Sequence, residues 1–333
     1  PKMVPWGLKF LAKSNVASVR EVSDAMEILC QPSISLYHRH LEGTGHENLI
    51  IDSWYIHAFR DAQKANLRDL GYAIRQQKGA EMELVGQQDL KQLEPALSPT
   101  FKAAIVIKGQ ARAYAPGRIG QVLAEKIRAQ GGEILRAEVT GISKTESGWT
   151  ISTQGSALAA DKIVLAAGVW SAALLKPLGL DLPLAAERGY HVEFSNAQIQ
   201  VNNSIMDMDA KIVASSMESG IRIAGSAEFA AIDTAADPRK KVLLAHQARA
   251  MLPDVDITEM TSWMGQRPSF PDSLPALGAV TGQPGLYAAF GHSHYGLMMA
   301  PKTGELIADL VAGVSPNIDL DAFDTRRFQS RKT

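Results

Sequence analysis

Residues 285–313 read GLYAAFGHSHYGLMMAPKTGELIADLVAG, and the hydrophobic period changes once along them. The run Leu286–Phe290 is short, apolar and preceded and followed by glycine, which predicts a buried strand. Beyond it Leu297, Met298, Ile307, Leu310 and Val311 fall near helical spacing, with Lys302, Glu305 and Asp309 between them. The turn that joins them, Gly291-His292-Ser293-His294-Tyr295-Gly296, has glycine at both ends, where backbone can take positive φ or pass close to a ligand. A helix starting just after Gly296 aims its free N–H groups and the positive end of its dipole at whatever lies over the turn. That is a seat for an electron-rich group, although an ordinary strand-turn-helix join in any α/β domain has the same pattern.

A chain of 333 residues has room for about two domains, and 46% hydrophobic residues supply a core. The balance of 34 basic against 35 acidic residues, net -1, has no basic stripe for nucleic acid. The short run at 326–332 reads as a solvated tail. The longest apolar run, 163–170, is well below the roughly 18 residues of a membrane span. A single cysteine, Cys30, excludes an intramolecular disulfide and fits a reducing compartment. A cytoplasmic protein, or one peripheral to the inner membrane, is expected, with no metal.

Residues 6–41 read as mostly helical, broken at Pro32, because Val19, Val22, Met26, Leu29 and Cys30 repeat near helical spacing. A polar turn at 42–48 precedes a strand over 49–59, where Tyr55 and His57 share a face that either lines a pocket or is simply half-buried. Next come a helix over 62–77, a strand over 82–85, a short helix over 87–93 and a strand over 101–108. Pro116 suits the first turn of a helix over 116–130, and Gly131-Gly132 ends it before a strand over 133–139. A hairpin through Gly148-Trp149 and a strand over 162–165 lead to Ala166-Ala167-Gly168-Val169-Trp170-Ser171, whose small residues permit close backbone approach to a ligand. A helix over 171–178 follows. From Pro183 the pattern turns to β segments at 186–194, 211–215 and 221–224, then a helix over 237–252 with Asp237 as its cap. In SWMGQRPSFPDSLPALG, residues 262–278, Arg267 offers two parallel, permanently charged donors to a planar carboxylate; an arginine salt-bridged on a strand is the alternative. Asp272 fits an Asx-type cap.

Three stretches resemble the FAD-dependent amino acid oxidoreductases, the family of D-amino acid oxidase, glycine oxidase, sarcosine oxidase and D-amino acid dehydrogenase. They are the block 116–173 ending in AAGVWS, the stretch 263–278 close to WxGxRPxxPDxxPxxG, and GHxxxGLxxAPxTGxLIADLxxG at 291–313. LEPAL at 93–97, RGYHVEF at 188–194 and GSAE at 225–228 are weaker echoes. The resemblance implies an α/β (α+β) fold, a glutathione-reductase-like FAD-binding domain with a mostly antiparallel β-sheet substrate domain. It assigns 44–110 and 183–272 to the substrate domain and 111–182 and 273–333 to the FAD-binding domain, with a helical segment at 1–43. The family's FAD site opens with a strand, GxGxxG and a helix, and this sequence contains no GxGxxG. Since the chain starts at Pro1, a preceding dinucleotide-binding segment is expected; the alternative is a chain that does not hold FAD.

The cofactor contacts implied by the resemblance are Val139, Ala166, Ala167, Gly168, Trp170, Gly291, His292, Gly296, Leu297 and Met298. The implied substrate contacts are Arg267, Tyr190, His294 and Tyr295, the last two as substrate selectors or as surface residues. No catalytic acid or base is singled out. Arg267 is expected to hold the carboxylate of a small amino acid so that its Cα–H faces flavin N5 and passes a hydride, giving an imino acid that hydrolyses to a 2-oxo acid. The turn is most similar to D-amino acid dehydrogenases, with glycine or sarcosine oxidation as the near alternative. Cys30 lies far from any position that could tether the flavin. The electron acceptor (oxygen, a quinone or a partner subunit) and an oligomeric state stay open. So does a reading from another class, a non-catalytic subunit that keeps the fold for protein contacts.

Overall fold

A computed structural model describes residues 3–328, so the basic run read at 326–332 lies partly outside the described residues. Three helices come first, α1 (Met3–Lys13), α2 (Val16–Cys30) and α3 (Ser33–Leu41). Asn15 starts α2 by accepting the Ser18 N–H at 3.0 Å, and Pro32 separates α2 from α3. Then follow β1 (Ile50–Phe59), α4 (Leu70–Gln77), β2 (Met82–Gly86), α5 (Gln87–Leu93), β3 (Ala103–Ala113) and α6 (Pro116–Ala129). The helix expected over 62–77 is confined to α4 and one 3-10 turn. Asp61 and Asn66 bend the chain there by accepting the N–H groups of Gln63 and Arg68 at 3.0 and 3.1 Å.

The middle of the chain forms β4 (Val139–Lys144), β5 (Trp149–Thr153), β6 (Ala157–Ala160), β7 (Ile163–Leu165) and α7 (Ser171–Leu175). The strand expected over 133–139 is displaced: 133–138 have no ladder partner among the described residues, Ile134 and Leu135 are exposed, and pairing begins at Val139 against β5. The remainder is β8 (Ala185–Phe194), β9 (Ser204–Asp207), β10 (Ile212–Met217), β11 (Gly220–Phe229), α8 (Arg239–Met251), β12 (Met260–Ser269), β13 (Ala276–Ala279), β14 (Leu286–Phe290) and α9 (Gly296–Ala312). No helix among the described residues is long and apolar enough to cross a membrane, and no cluster of His, Cys, Asp or Glu among them could hold a metal ion.

Eight strands form one sheet, ordered β12-β8-β11-β10-β9-β1-β3-β2 and antiparallel except where β1 meets β9. The sheets β13-β14-β7 and β4-β5-β6 are smaller. The mixed α/β architecture with a large, mostly antiparallel sheet is the one expected.

Strand alternation gives the large sheet two faces of different character. Ile56, Ala58, Val192, Phe194, Ile221 and Ile223 lie on one, packed against Leu90 of α5 and Leu244, Ala248 and Met251 of α8. The other carries Glu187, Gly189, His191 and Glu193 on β8, opposite Arg267, Gly265, Trp263 and Thr261 on β12. At its far end this second face is also covered: Phe59, Ile105 and Ile107 pack beneath Tyr72 of α4. Tyr55 and His57 do share that face, and His57 is a buried packing residue whose Nδ1 lies 2.7 Å from the Tyr72 hydroxyl.

The LEPAL segment has a structural cause. Glu94, fully buried, accepts the N–H groups of Asn202 and Asn203 at 2.9 and 2.7 Å and the Asn203 side-chain amide at 2.8 Å, fastening the start of β9 to the end of α5.

Burial, with Arg75 and Lys211 adding to it, pushes the His57 imidazole down from 6.5 to about 4. Because the folded protein disfavours protonated His57, its contribution to stability is complete above pH 6.5 and is lost as pH falls toward about 4. His57 is expected to contribute about 3 kcal/mol of the decline in unfolding free energy that denaturant titrations show across that window, and His57→Gln is expected to reduce the slope by that amount.

Candidate active site

Strands β7 and β14 run parallel, Leu165 beside Ala288, so their carboxyl ends open on one edge. Ligands of parallel sheets bind beyond that edge. Here Ala166-Ala167-Gly168 leaves β7 and the turn from Gly291 to Gly296 leaves β14. Gly168 and Gly291 have φ of 55° and 89°, and a Cβ on Gly291 would overlap the Phe270 ring. Ser293 holds φ 50° without glycine's freedom, a strained conformation that surrounding contacts must enforce. Gly296 has φ -53° and is the first residue of α9, so it does not use the positive φ open to glycine.

Two side chains fix the start of α9. Pro301 lacks an N–H, so the Leu297 carbonyl four residues earlier has no helical donor; the Tyr37 hydroxyl of α3 donates to it at 2.7 Å instead. His292 Nε2 lies 3.0 Å from the Thr303 hydroxyl, tying the turn to the helix, and burial pushes this imidazole down to about 4, so it is neutral. Leu29 of α2 and Leu277 of β13 pack against Met299 and Leu306 from below. The first turn is left presenting Tyr295, Leu297 and Met298, each about 40% exposed, beside the free N–H groups of the helix start.

Strand β12 packs against this turn, and Ser269 pairs with His292 in an isolated antiparallel bridge. On the adjacent sheet face Arg267 and Glu187 are cross-strand partners. Arg267 Nη1 lies 3.3 Å from Glu187 Oε1 and donates to the Ser226 carbonyl at 3.4 Å. His294 Nε2 approaches the same Glu187 Oε1 at 2.6 Å. The Ser269 hydroxyl donates to Oε2 at 3.2 Å and sits 3.1 Å from the Ser293 hydroxyl. Burial alone would raise the Glu187 carboxyl, but His294, Arg267 and Ser269 outweigh it and hold the group below its usual range.

Arg267 lies directly over Gly189, where a Cβ would overlap the guanidinium. With Nη1 engaged, Nε and Nη2 make no hydrogen bond among the described residues, so that edge presents the two parallel donors a carboxylate requires. Trp263 covers Gly265 in the same way and stacks on His191 with ring centroids 5.2 Å apart. Further along the face Arg222 pairs with Glu193, and a cavity of about 220 Å³ lies between Arg112, Arg222, Ser215, Met217, Ala224 and Leu297.

The structure thus brings Arg267 and His294 together, with Tyr295 and Leu297 on the same turn. Tyr190 is a correction. One residue out of phase with Glu187 and Gly189, it points to the opposite face, where its hydroxyl donates to Glu228 at 2.6 Å and accepts from the buried Arg188 at 2.9 Å. His292 is turned toward Thr303. Val139 opens β4 half-exposed, and Trp170, 55% exposed, belongs to a turn that packs on β12. Sequence reading missed Glu187, Ser269 and Ser293; the carboxylate just before Arg188-Gly189 was the available signal.

The profile of the FAD dependent oxidoreductase family matches residues 10–310, and the chain belongs to that family. It is 32% identical over 334 residues to a D-amino-acid oxidase of Bradyrhizobium diazoefficiens, covering 98% of this chain and 79% of that protein. It is 31% identical over 229 residues to a glycine oxidase of Pseudomonas putida, covering 68% of this chain and 62% of that one. The fold superposes on glycine oxidase from Geobacillus kaustophilus with a TM-score of 0.78 at 22% identity, over 100% of this chain and 84% of the other. L-proline dehydrogenase from P. horikoshii superposes at 0.78 and 19% identity, over 91% and 83%. The cofactor of the family is FAD, and the small residues at 166–168 beside the exposed start of α9 fit a flat group carrying negative charge.

Gly189→Ala is expected to push the guanidinium off its seat and weaken binding of a simple carboxylate such as acetate about tenfold or more, while unfolding midpoints stay close to wild type. Unaltered acetate affinity would show that Arg267 needs no room over Gly189.

Proposed function

We propose that this chain oxidises a small α-amino acid, of D configuration or a cyclic imino acid related to proline, in an FAD-dependent reaction that yields an imino acid and, after hydrolysis, a 2-oxo acid. The observation that carries this reading is the open Nε–Nη2 edge of Arg267, held over Gly189 next to the turn that starts α9. On this reading the substrate carboxylate lies along that edge as a bidentate pair, and Glu187 balances the guanidinium when no substrate is present. FAD, when bound, accepts the hydride from Cα. Ala166, Ala167, Gly168 and Gly291 give it backbone contacts without bulky side chains, and the start of α9 offers its N–H groups to the electron-rich edge. Tyr295, Leu297 and Trp263 are exposed apolar groups around the same space and would exclude water from the reacting carbon. The strands of 44–110 and 183–272 are assigned to the substrate domain, and 111–182 and 273–333 to FAD binding.

Glycine or sarcosine oxidation is the second reading, favoured by the similarity to a glycine oxidase. The electron acceptor is oxygen, a quinone or a partner subunit. A non-catalytic role in protein contacts gains nothing from an arginine whose donor edge is open.

Anaerobic addition of D-amino acids, D-proline, glycine and sarcosine to the FAD-loaded protein is expected to bleach the visible flavin band with at least one D-amino or imino acid. Bleaching by glycine or sarcosine alone would select the second reading, and no bleaching would overturn both. For Arg267→Ala the KM is expected to rise by about two to nearly four powers of ten, since removing one partner of a buried charge pair costs about 3 to 5 kcal/mol.

A further inference from the structure

We propose that Trp263 is the wall against which this protein sorts its substrates, and that the side chain it takes is an aromatic ring. The proposal rests on the amino acid reading above and names the side chain that accompanies the carboxylate.

Three positions of β8 face the site in order, Glu187, Gly189 and His191, opposite Arg267, Gly265 and Trp263 of β12. The Arg267 guanidinium lies over the middle position, where a Cβ on Gly189 would stand 2.1 Å from Nη2 and 2.3 Å from Cζ. Its Nη1 is held back toward Glu187 Oε1 at 3.3 Å and the Ser226 carbonyl at 3.4 Å. In a planar guanidinium the Nε–Nη2 edge lies across Cζ from Nη1. The open edge is therefore turned away from Glu187, and the next side chains in that direction along the two strands are His191 and Trp263.

No side chain of β8 or β12 stands between that edge and the indole. Gly265 is directly opposite Gly189, and a Cβ there would stand 2.1 Å from Trp263 Cη2 and 2.5 Å from Cζ3. Directly opposed residues of antiparallel strands have Cβ positions about 4.5–5.5 Å apart. Guanidinium and indole thus fill adjacent gaps left by two facing glycines. A carboxylate on the open edge has its Cα and side chain beside the ring.

The indole is fixed in orientation yet open to a ligand. It stacks on His191, its cross-strand partner, with centroids 5.2 Å apart and 27° between the planes. Even so, Trp263 is 61% exposed. Burial and Arg222 hold the His191 imidazole below its ordinary range, so the ring behind the indole is uncharged at neutral pH.

Of the groups that an amino acid could bring to this ring, one fits best. An ammonium on the π face would be held as a cation, whereas departure of a hydride from Cα needs the nitrogen lone pair free. An acidic side chain meets no unpaired cation there, because Arg222, further along the face, is paired with Glu193. An aliphatic side chain gains contact area alone. An aromatic ring gains the same area and an offset or edge-to-face arrangement with the indole.

The test compares propanoate with 3-phenylpropanoate, which are alanine and phenylalanine without their amines. Their affinities are read by titration calorimetry on the FAD-loaded wild type, Trp263→Ala, Trp263→Phe and Arg267→Met. In wild type 3-phenylpropanoate is expected to bind about tenfold tighter than propanoate, and in Trp263→Ala that ratio is expected to fall below about threefold. Trp263→Phe is expected to restore most of it, and Arg267→Met to weaken both acids. D-phenylalanine is expected to reduce the flavin anaerobically at lower concentration than D-alanine, an advantage lost in Trp263→Ala. An unchanged ratio in Trp263→Ala, or one that Trp263→Phe does not restore, would overturn the proposal. Equal weakening of both acids by Trp263→Ala would overturn it too, by showing that the indole only seats Arg267, as would binding that survives Arg267→Met. If no amino acid reduces the flavin, the reading of the function fails, and the ratio of the two acids still decides the role of Trp263.

Discussion

A guanidinium can lie across a neighbouring strand only where that strand has no side chain, and Gly189 supplies the one gap beside Arg267. The antiparallel register of β8 and β12 then places Glu187 opposite Arg267, so position and charge balance come from the same pairing. A slip of β12 by one residue would turn Arg267 toward the apolar core on the other side of the sheet, among Val192, Phe194 and Leu244, and leave Glu187 without its partner. Burying a guanidinium without a partner would cost far more than the register could return, so the charge pair and the core enforce each other.

The second constraint comes from α9. Its first turn must reach the sheet face with its N–H groups free, and a helix end of that kind needs to be held from behind. Pro301 creates an unpaired carbonyl at Leu297, and Tyr37 satisfies it from α3. The helices at the beginning of the chain are thereby coupled to the candidate site, although none of their residues was expected there. His292 completes the attachment through Thr303, which explains why the turn carries two histidines with different surroundings: one neutral and structural, the other half-exposed beside Glu187.

Much of the fold was legible because its signals are local. The change of period at 285–313, the proline at 116 and the β pattern of 186–194 each depend on residues within a few positions of one another. The failures were local rules overruled by context. The helix expected over 62–77 was interrupted by side-chain to backbone bonds from Asp61 and Asn66, and 133–138 had the composition of a strand but no adjacent edge among the described residues. In the site, Arg267 and the α9 turn were visible as motifs. Tyr190 was misplaced because its phase relative to Arg267 depends on pairing between strands about 75 residues apart.

By itself the sequence determined the class of elements, the strand-turn-helix at the end of β14, the membership of the FAD dependent oxidoreductase family and the arginine suited to a carboxylate. These follow from periodicity, turn chemistry and residue type, which are properties of short stretches. Only the tertiary structure decided which charges meet. Glu187, Arg267 and His294 come from a strand, its neighbour and a turn, and they converge because register, sheet alternation and the anchoring of α9 act together over long sequence separations.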